Sequence, residues 1–237
     1  MSRLPVLMYH NVTLNNELSF GLTISAAKFE EQLDFLKKNN YTTLFVSDLE
    51  DDKNVSSKSV VITFDDVTEN QLLYALPLLK KYDCKATFFI PFSYVGKSDL
   101  WNNGSEKIMT IEQLKALDAS LIELGHHSFY HKKYTELEEQ QVILDLEKSF
   151  DYITQNGLTV YPSLAYPYGN YPKKGIRKAL FFSTLEKNGI KMAFRIGNRV
   201  NNFPLKNKYE IHRIDVKGQD SLLKFKWKLK LGKLSLF

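Results

Sequence analysis

The chain has 237 residues, 43% of them hydrophobic, which suits one large domain with a sizeable core. A net charge of +5 is mild and comes with no nucleic-acid-binding motif, so no nucleic-acid partner is expected. A single cysteine, Cys84, excludes an intrachain disulfide and is read as a small, half-buried residue at a strand start.

Apolar β-rich runs alternate with helical patterns, the mark of βα units around a largely parallel sheet. Residues 1–3 lead straight into a first strand at 4–9 with no apolar leader, so the expected location is cytoplasmic, or extracytoplasmic if a leader has been removed. No apolar run reaches membrane-spanning length. Ser25 is a good N-cap for a helix at 26–39, with Phe29, Leu33 and Leu36 on one face. Strands follow at 42–46 and 59–64, then a helix at 69–82 and a strand at 85–91. The segment 92–108 lacks periodicity and reads as a long loop at the functional end, with Trp101 either stacking on a sugar ring or anchoring the loop. Thr110 with Gln113 signals a capping box for a helix at 111–121, and Thr135 with Glu138 does so for one at 136–156. A strand at 122–127 lies between them. Strands at 162–167, 192–196 and 210–215 and a helix at 173–188 complete the pattern. In the tail, Lys224-Phe225-Lys226-Trp227-Lys228-Leu229 alternates basic and apolar residues, a period of two that predicts a strand.

The chemistry concentrates at strand ends. Val60-Val61-Ile62-Thr63-Phe64 runs into two adjacent carboxylates, Asp65 and Asp66, and the strand at 122–127 leads to His127 and His131, four residues apart. One carboxylate and two imidazoles suit Zn²⁺ and its first-row neighbours, and three protein ligands leave a position open for water. The other carboxylate is what a hydrolase needs as a general base. Thr68 caps the following helix equally well, so capping does not require the acid pair.

Thr63-Phe64-Asp65-Asp66 and His127-Ser128-Phe129-Tyr130-His131 resemble the first two motifs of the polysaccharide deacetylases of the NodB-homology type, carbohydrate esterase family 4. The resemblance implies that Asp65 is the general base and that Asp66, His127 and His131 hold one divalent metal, Zn²⁺ first and Co²⁺ or Ni²⁺ as alternatives. It implies a single distorted, incomplete (β/α)7-type barrel, an α/β fold with functional residues at the C-terminal strand ends. The family's third motif, Arg-x-Pro-Tyr, is matched by Ala165-Tyr166-Pro167-Tyr168 without its Arg. The Tyr168 backbone N–H can still serve the oxyanion, and Pro167, Tyr168 and Trp101 are the expected substrate contacts. Arg195, Arg199 and Arg213 are unranked candidates for the cation that orients Asp65. The family's Leu-x-x-His motif, normally near the C-terminus, is found at Leu7-Met8-Tyr9-His10. This resembles the circularly permuted exopolysaccharide branch, which includes deacetylases of poly-N-acetylglucosamine, and makes His10 the general acid. His126 is given no ligand role, His212 a structural one, and Arg213 is expected to pair with Asp215.

Barrel and tail divide at 1–220 and 221–237. The expected activity is metal-dependent removal of N-acetyl groups from N-acetylhexosamine units of an oligo- or polysaccharide or its precursor. Alternatives are a small-molecule amide or imide hydrolase, a de-O-acetylase, or a catalytically inactive sugar-binding relative. The tail is expected to pack on the barrel with its lysines solvated, or to make peripheral contact with an anionic membrane through Phe225 and Trp227.

Overall fold

The computed structural model describes residues 2–51 and 54–232. The chain opens with short strands β1 (Ser2–Leu4), β2 (Val6–Tyr9), β3 (Asn11–Thr13) and β4 (Thr23–Ser25), then helix α1 (Ala26–Lys38) and β5 (Thr42–Leu44). Next come β6 (Ser59–Asp65), α2 (Leu76–Tyr82), β7 (Ala86–Ile90), α3 (Ile111–Lys115), β8 (Ile122–His126) and α4 (Glu139–Asn156). The remainder is β9 (Ser163–Ala165), α5 (Gly175–Lys187), β10 (Met192–Ile196), β11 (Asn201–Phe203), β12 (Ile211–Asp215) and α6 (Leu222–Leu231).

Seven strands close into a parallel barrel in the order β2, β12, β10, β9, β8, β7, β6, as the expected (β/α)7-type architecture requires. Closure is made by β2, whose Leu7 and Met8 pair with Ile214 and Asp215 on one side while Val6–Tyr9 pair with Val61–Phe64 on the other. The distortion has two sources. Only one residue pair, His126 with Leu164, joins β8 to β9. On β6, β5 pairs with Ser59–Val61 and β7 pairs with Thr63–Asp65. The predicted strand 4–9 is two strands, broken at Pro5; β1 leaves the barrel to pair antiparallel with β11.

Side-chain alternation sorts the core into an inside and an outside. Val61 joins Phe89, Ala165, Phe194 and Ile211 in one cluster. Its neighbours Val60, Ile62 and Phe64 join a larger cluster with Phe29, Leu33 and Leu36 of α1 and Leu79 of α2. Leu164 and Tyr166 pack with residues of α4 and α5. Gly125 is required by close approach, since a Cβ there would lie 2.6 Å from the Phe89 ring.

Three local readings need correction. The helix expected at 111–121 ends at Lys115, because Asp118 accepts hydrogen bonds from the N–H and hydroxyl of Ser120 and closes a local turn instead. The capping box of α4 is made by Glu138 with Gln141, while Thr135, expected in that role, bonds Asn170. The tail forms helix α6, not a strand. Ser221 caps it, and Phe225 and Leu229, one turn apart, enter the core, where Phe225 meets Phe35 of α1 at 6.3 Å. Lys228 is buried, donating to Asp220 and to the Asp215 carbonyl, so it is not solvated as expected. The end of the predicted tail, 233–237, lies outside the described residues. Among the described residues no helix is long and apolar enough to cross a membrane.

Candidate active site

β6 delivers Asp65 to the C-terminal mouth of the barrel. There it meets Arg213, a fully buried residue of β12, the strand two places round the ring. The guanidinium donates through Nη1 to Oδ1 at 2.5 Å and through Nη2 to Oδ2 at 2.7 Å. Burial pushes the Asp65 carboxyl up, but the charge of Arg213, then His127, outweighs it and holds the group well below the usual carboxylate range. Of the three candidate arginines, Arg213 is therefore the one that orients Asp65. Arg195 donates to the Tyr171 hydroxyl, and Arg199 is exposed. The expected Arg213–Asp215 pair does not form, because Arg213 points at Asp65 and Asp215 pairs with Lys217 at 2.7 Å.

Asp66 follows in the left-handed region, φ 76°. Its Oδ1 lies 3.5 Å from His127 Nε2 and 3.4 Å from His131 Nε2. One donor atom from each of these residues lies within 4.8 Å of the others. Asp66 Oδ1 is buried and has no hydrogen-bond partner among the described residues, and the His127 Nδ1 lies 2.8 Å from the Ala165 carbonyl, which leaves Nε2 for the shared point. This donor set fits a first-row divalent cation. Burial lowers the His127 pKa to about 4, so the imidazole is neutral and free to ligate.

The loop carrying the histidines is held from α4. The Asp145 carboxylate accepts the N–H groups of Phe129 and Tyr130 and the Tyr134 hydroxyl. Ser128 and His131 both have positive φ, and Ser128 Oγ accepts the His131 N–H at 2.8 Å. Five of the nine non-glycine residues with positive φ among those described are Asp66, Val67, Ser128, His131 and Tyr168. Backbone strain is thus concentrated here, as at many functional sites.

His10, just past β2, places Nε2 3.7 Å from Asp65 Oδ2. Gln71 ties the two segments together, donating to the His10 carbonyl at 2.9 Å and the Asp65 carbonyl at 2.6 Å. It does so from a π-helical turn, Gln71–Ala75, inserted before α2. A cavity of about 330 Å³ is lined by His10, Asp65, Asp66, His127, His131, Trp101 and Tyr168, together with Asp99, Asp215 and Lys217. Pro167, expected to contact substrate, is buried and does not line it, whereas Tyr168 lines it and is 49% exposed. His126 turns away, buried between Phe92 and Phe150, and His212 does not line the cavity. Sequence reasoning missed Gln71 and Asp145, since neither belongs to a motif with a chemical signature. It named Arg213 without ranking it.

Fold and site together define a hydrolase-type α/β barrel, and the chain belongs to the polysaccharide deacetylase family, whose sequence pattern matches residues 52–181. Among its relatives, the Bacillus subtilis (strain 168) protein YxkH, named as a polysaccharide deacetylase, is 32% identical over 198 residues, covering 81% of this chain and 63% of that protein. The chain thus spans less than two-thirds of that relative. A poly-β-1,6-N-acetyl-D-glucosamine N-deacetylase of Staphylococcus aureus (strain MSSA476) is 28% identical over 231 residues, covering 88% of this chain and 77% of the other. The solved structure of the Streptococcus pyogenes deacetylase PplD, in complex with acetate, shares the fold with a TM-score of 0.79 at 22% identity, covering 96% of this chain and 98% of that one.

Proposed function

We propose that this chain is a metal-dependent N-deacetylase acting on N-acetylhexosamine units of a polysaccharide or its precursor, with a poly-β-1,6-linked N-acetylglucosamine as the first substrate to test. The observation that carries the reading is the convergence, in one cavity, of the Asp66, His127 and His131 donor set with Asp65 clamped by Arg213 and His10 at 3.7 Å. Similarity to the Staphylococcus aureus enzyme supports the substrate class.

Asp66, His127 and His131 would hold the ion, Zn²⁺ in preference to Co²⁺ or Ni²⁺. Once bound it supplies a water of lowered pKa and polarises the acyl carbonyl. Asp65 takes the proton of the attacking water, and Arg213 keeps that carboxylate ionised and aimed. The Tyr168 backbone N–H faces the developing oxyanion. His10 gives a proton to the departing nitrogen, which leaves poorly as an anion. Trp101 and Tyr168, which line the cavity, contact the sugar. In this reading the acid comes from the first barrel strand because the family's closing segment stands at the start of the chain. The position of β2 between β12 and β6 makes that order geometrically equivalent.

The corrected tail supports contact with an anionic lipid surface through Trp227, as expected, but with Leu223 and Leu231 in place of Phe225. Phe225 is buried, but Leu223, Trp227 and Leu231 stand exposed at four-residue spacing along α6, beside Lys224, Lys226 and Lys230.

Metal analysis tests the site. His127→Ala and His131→Ala should each lose tight Zn²⁺ binding by more than the roughly 10–100-fold that follows loss of a group merely supporting a ligand. Stoichiometric zinc in both variants after dialysis would sink the assignment.

A further inference from the structure

The two histidines of the donor set are held by different means. His127 has the usual support for a metal-binding imidazole, its Nδ1 2.8 Å from the Ala165 carbonyl oxygen, which fixes both the tautomer and the ring plane. His131 lacks such a partner: its Nδ1 is buried and unpaired among the described residues. Its backbone is fixed by Ser128, but that bond does not set the ring's rotation. What sets it is packing. The Trp101 indole lies over the His131 ring, 4.0 Å between centroids and 27° between planes. The rings of Tyr168 and His127 approach at 4.9 Å, each tilted by 63°.

Trp101 is itself held. Tyr94 meets it edge-on at 4.7 Å. Asp99, buried two residues earlier, accepts the Glu106 N–H at 2.8 Å and the Asn102 side-chain N–H at 3.0 Å, which closes the loop on itself. The loop is also tied to the segment that follows Asp66, where Glu69 N–H donates to the Lys107 carbonyl at 2.8 Å and Asn70 donates to Glu106 at 2.9 Å.

We infer that Trp101 is a positioning residue for the metal ligand His131, its stacked indole replacing the hydrogen bond that holds His127. This rests on the metal reading given above. Ligation draws electron density from an imidazole, and an electron-poor ring is attracted to the indole face. The stack therefore favours the ligating state as well as the ligating orientation. The indole face turned to His131 is taken by it, so a sugar would meet Trp101 only at its other face or its edge.

The test is Zn²⁺ affinity by chelator competition, with the visible spectrum of the Co²⁺-loaded protein, for the wild-type chain and for Trp101→Phe, Trp101→Leu and Trp101→Ala. Thermal unfolding of the metal-free proteins checks that each is folded. Trp101→Ala and Trp101→Leu should lose about 10- to 100-fold in Zn²⁺ affinity, the size of effect seen when a ligand's support is removed, with an altered Co²⁺ spectrum. Trp101→Phe should stay within a few-fold of wild type. Unchanged affinity and spectrum in Trp101→Ala would overturn the inference and leave Trp101 a sugar contact alone. Leu behaving like Phe would overturn it as well, showing that bulk rather than stacking matters. Both results differ from failure of the metal reading itself, in which the wild-type chain would bind neither ion.

Discussion

Arg213 and Asp65 form a buried pair in which each needs the other. The guanidinium has no exposed surface, and both Asp65 oxygens accept from it. Removing one partner of such a pair typically costs about 3–5 kcal/mol, because a charge is left buried and uncompensated. Asp65→Asn should therefore do two things: lower stability by an amount of that order in urea unfolding, and reduce turnover by roughly 10²–10⁴-fold while the metal remains bound. Full stability in the variant would mean that the pair is not closed in the folded protein. His126 gives a prediction of opposite sign with respect to protons. Burial between Phe92 and Phe150 lowers its pKa to about 3 from an ordinary 6.5. The unfolded chain takes up this proton below pH 6.5 and the folded chain does not until about pH 3, so the contribution is destabilising and grows as pH falls through that window. Between pH 7 and pH 5 it amounts to about 2 kcal/mol. His126→Leu should make the pH dependence of unfolding free energy shallower by that amount. An unchanged slope would place the acid sensitivity elsewhere.

The elements differ in how directly their sequence states their structure. β6, β7 and β10 are fully or largely buried strands whose apolar, β-branched and aromatic runs predict them closely. α6 is the opposite case. Its period of two describes a strand, yet Phe225 and Leu229, four apart, and Lys228 find partners in α1, Asp220 and Asp215. Tertiary contacts, invisible in the local pattern, decide the outcome. The helix therefore has two faces with separable roles. Phe225→Ala should cost about 3–5 kcal/mol of stability, as for other fully buried aromatic residues. Trp227→Ala combined with Leu223→Ala should leave stability within about 0.5 kcal/mol, as surface substitutions usually do, and should weaken binding to vesicles of anionic lipid. Equal vesicle binding by the wild type and the double variant would remove the lipid reading.

At the scale of the whole molecule, the part of the site legible in the sequence is the part that is local in the sequence. Asp65 and Asp66 are adjacent, and His127 and His131 share one loop, so their types and spacing mark a candidate metal site before any fold is known. Arg213 is 148 residues from Asp65. Nothing near it in the chain marks it above Arg195 or Arg199, and it becomes the partner of Asp65 only because β12 lies beside β2, and β2 beside β6. Gln71 is illegible for a related reason. Its role, joining the His10 and Asp65 backbones, exists only once β2 has closed the ring. The same closure brings His10 to Asp65 across a gap of 55 residues in the chain.

The most direct measurement is therefore acetate release from β-1,6-linked N-acetylglucosamine oligomers by the Zn²⁺-loaded chain, with free amine counted in parallel, for the wild type and His10→Ala. The wild type should release acetate and amine one for one and stop when a chelator is added. His10→Ala should keep its zinc and lose the amide cleavage, yet retain most of its activity on an activated aryl ester, whose leaving group needs no proton. A zinc-loaded wild-type chain that releases no acetate from any N-acetylated oligomer, or a His10→Ala variant that deacetylates as fast as the wild type, would contradict this account.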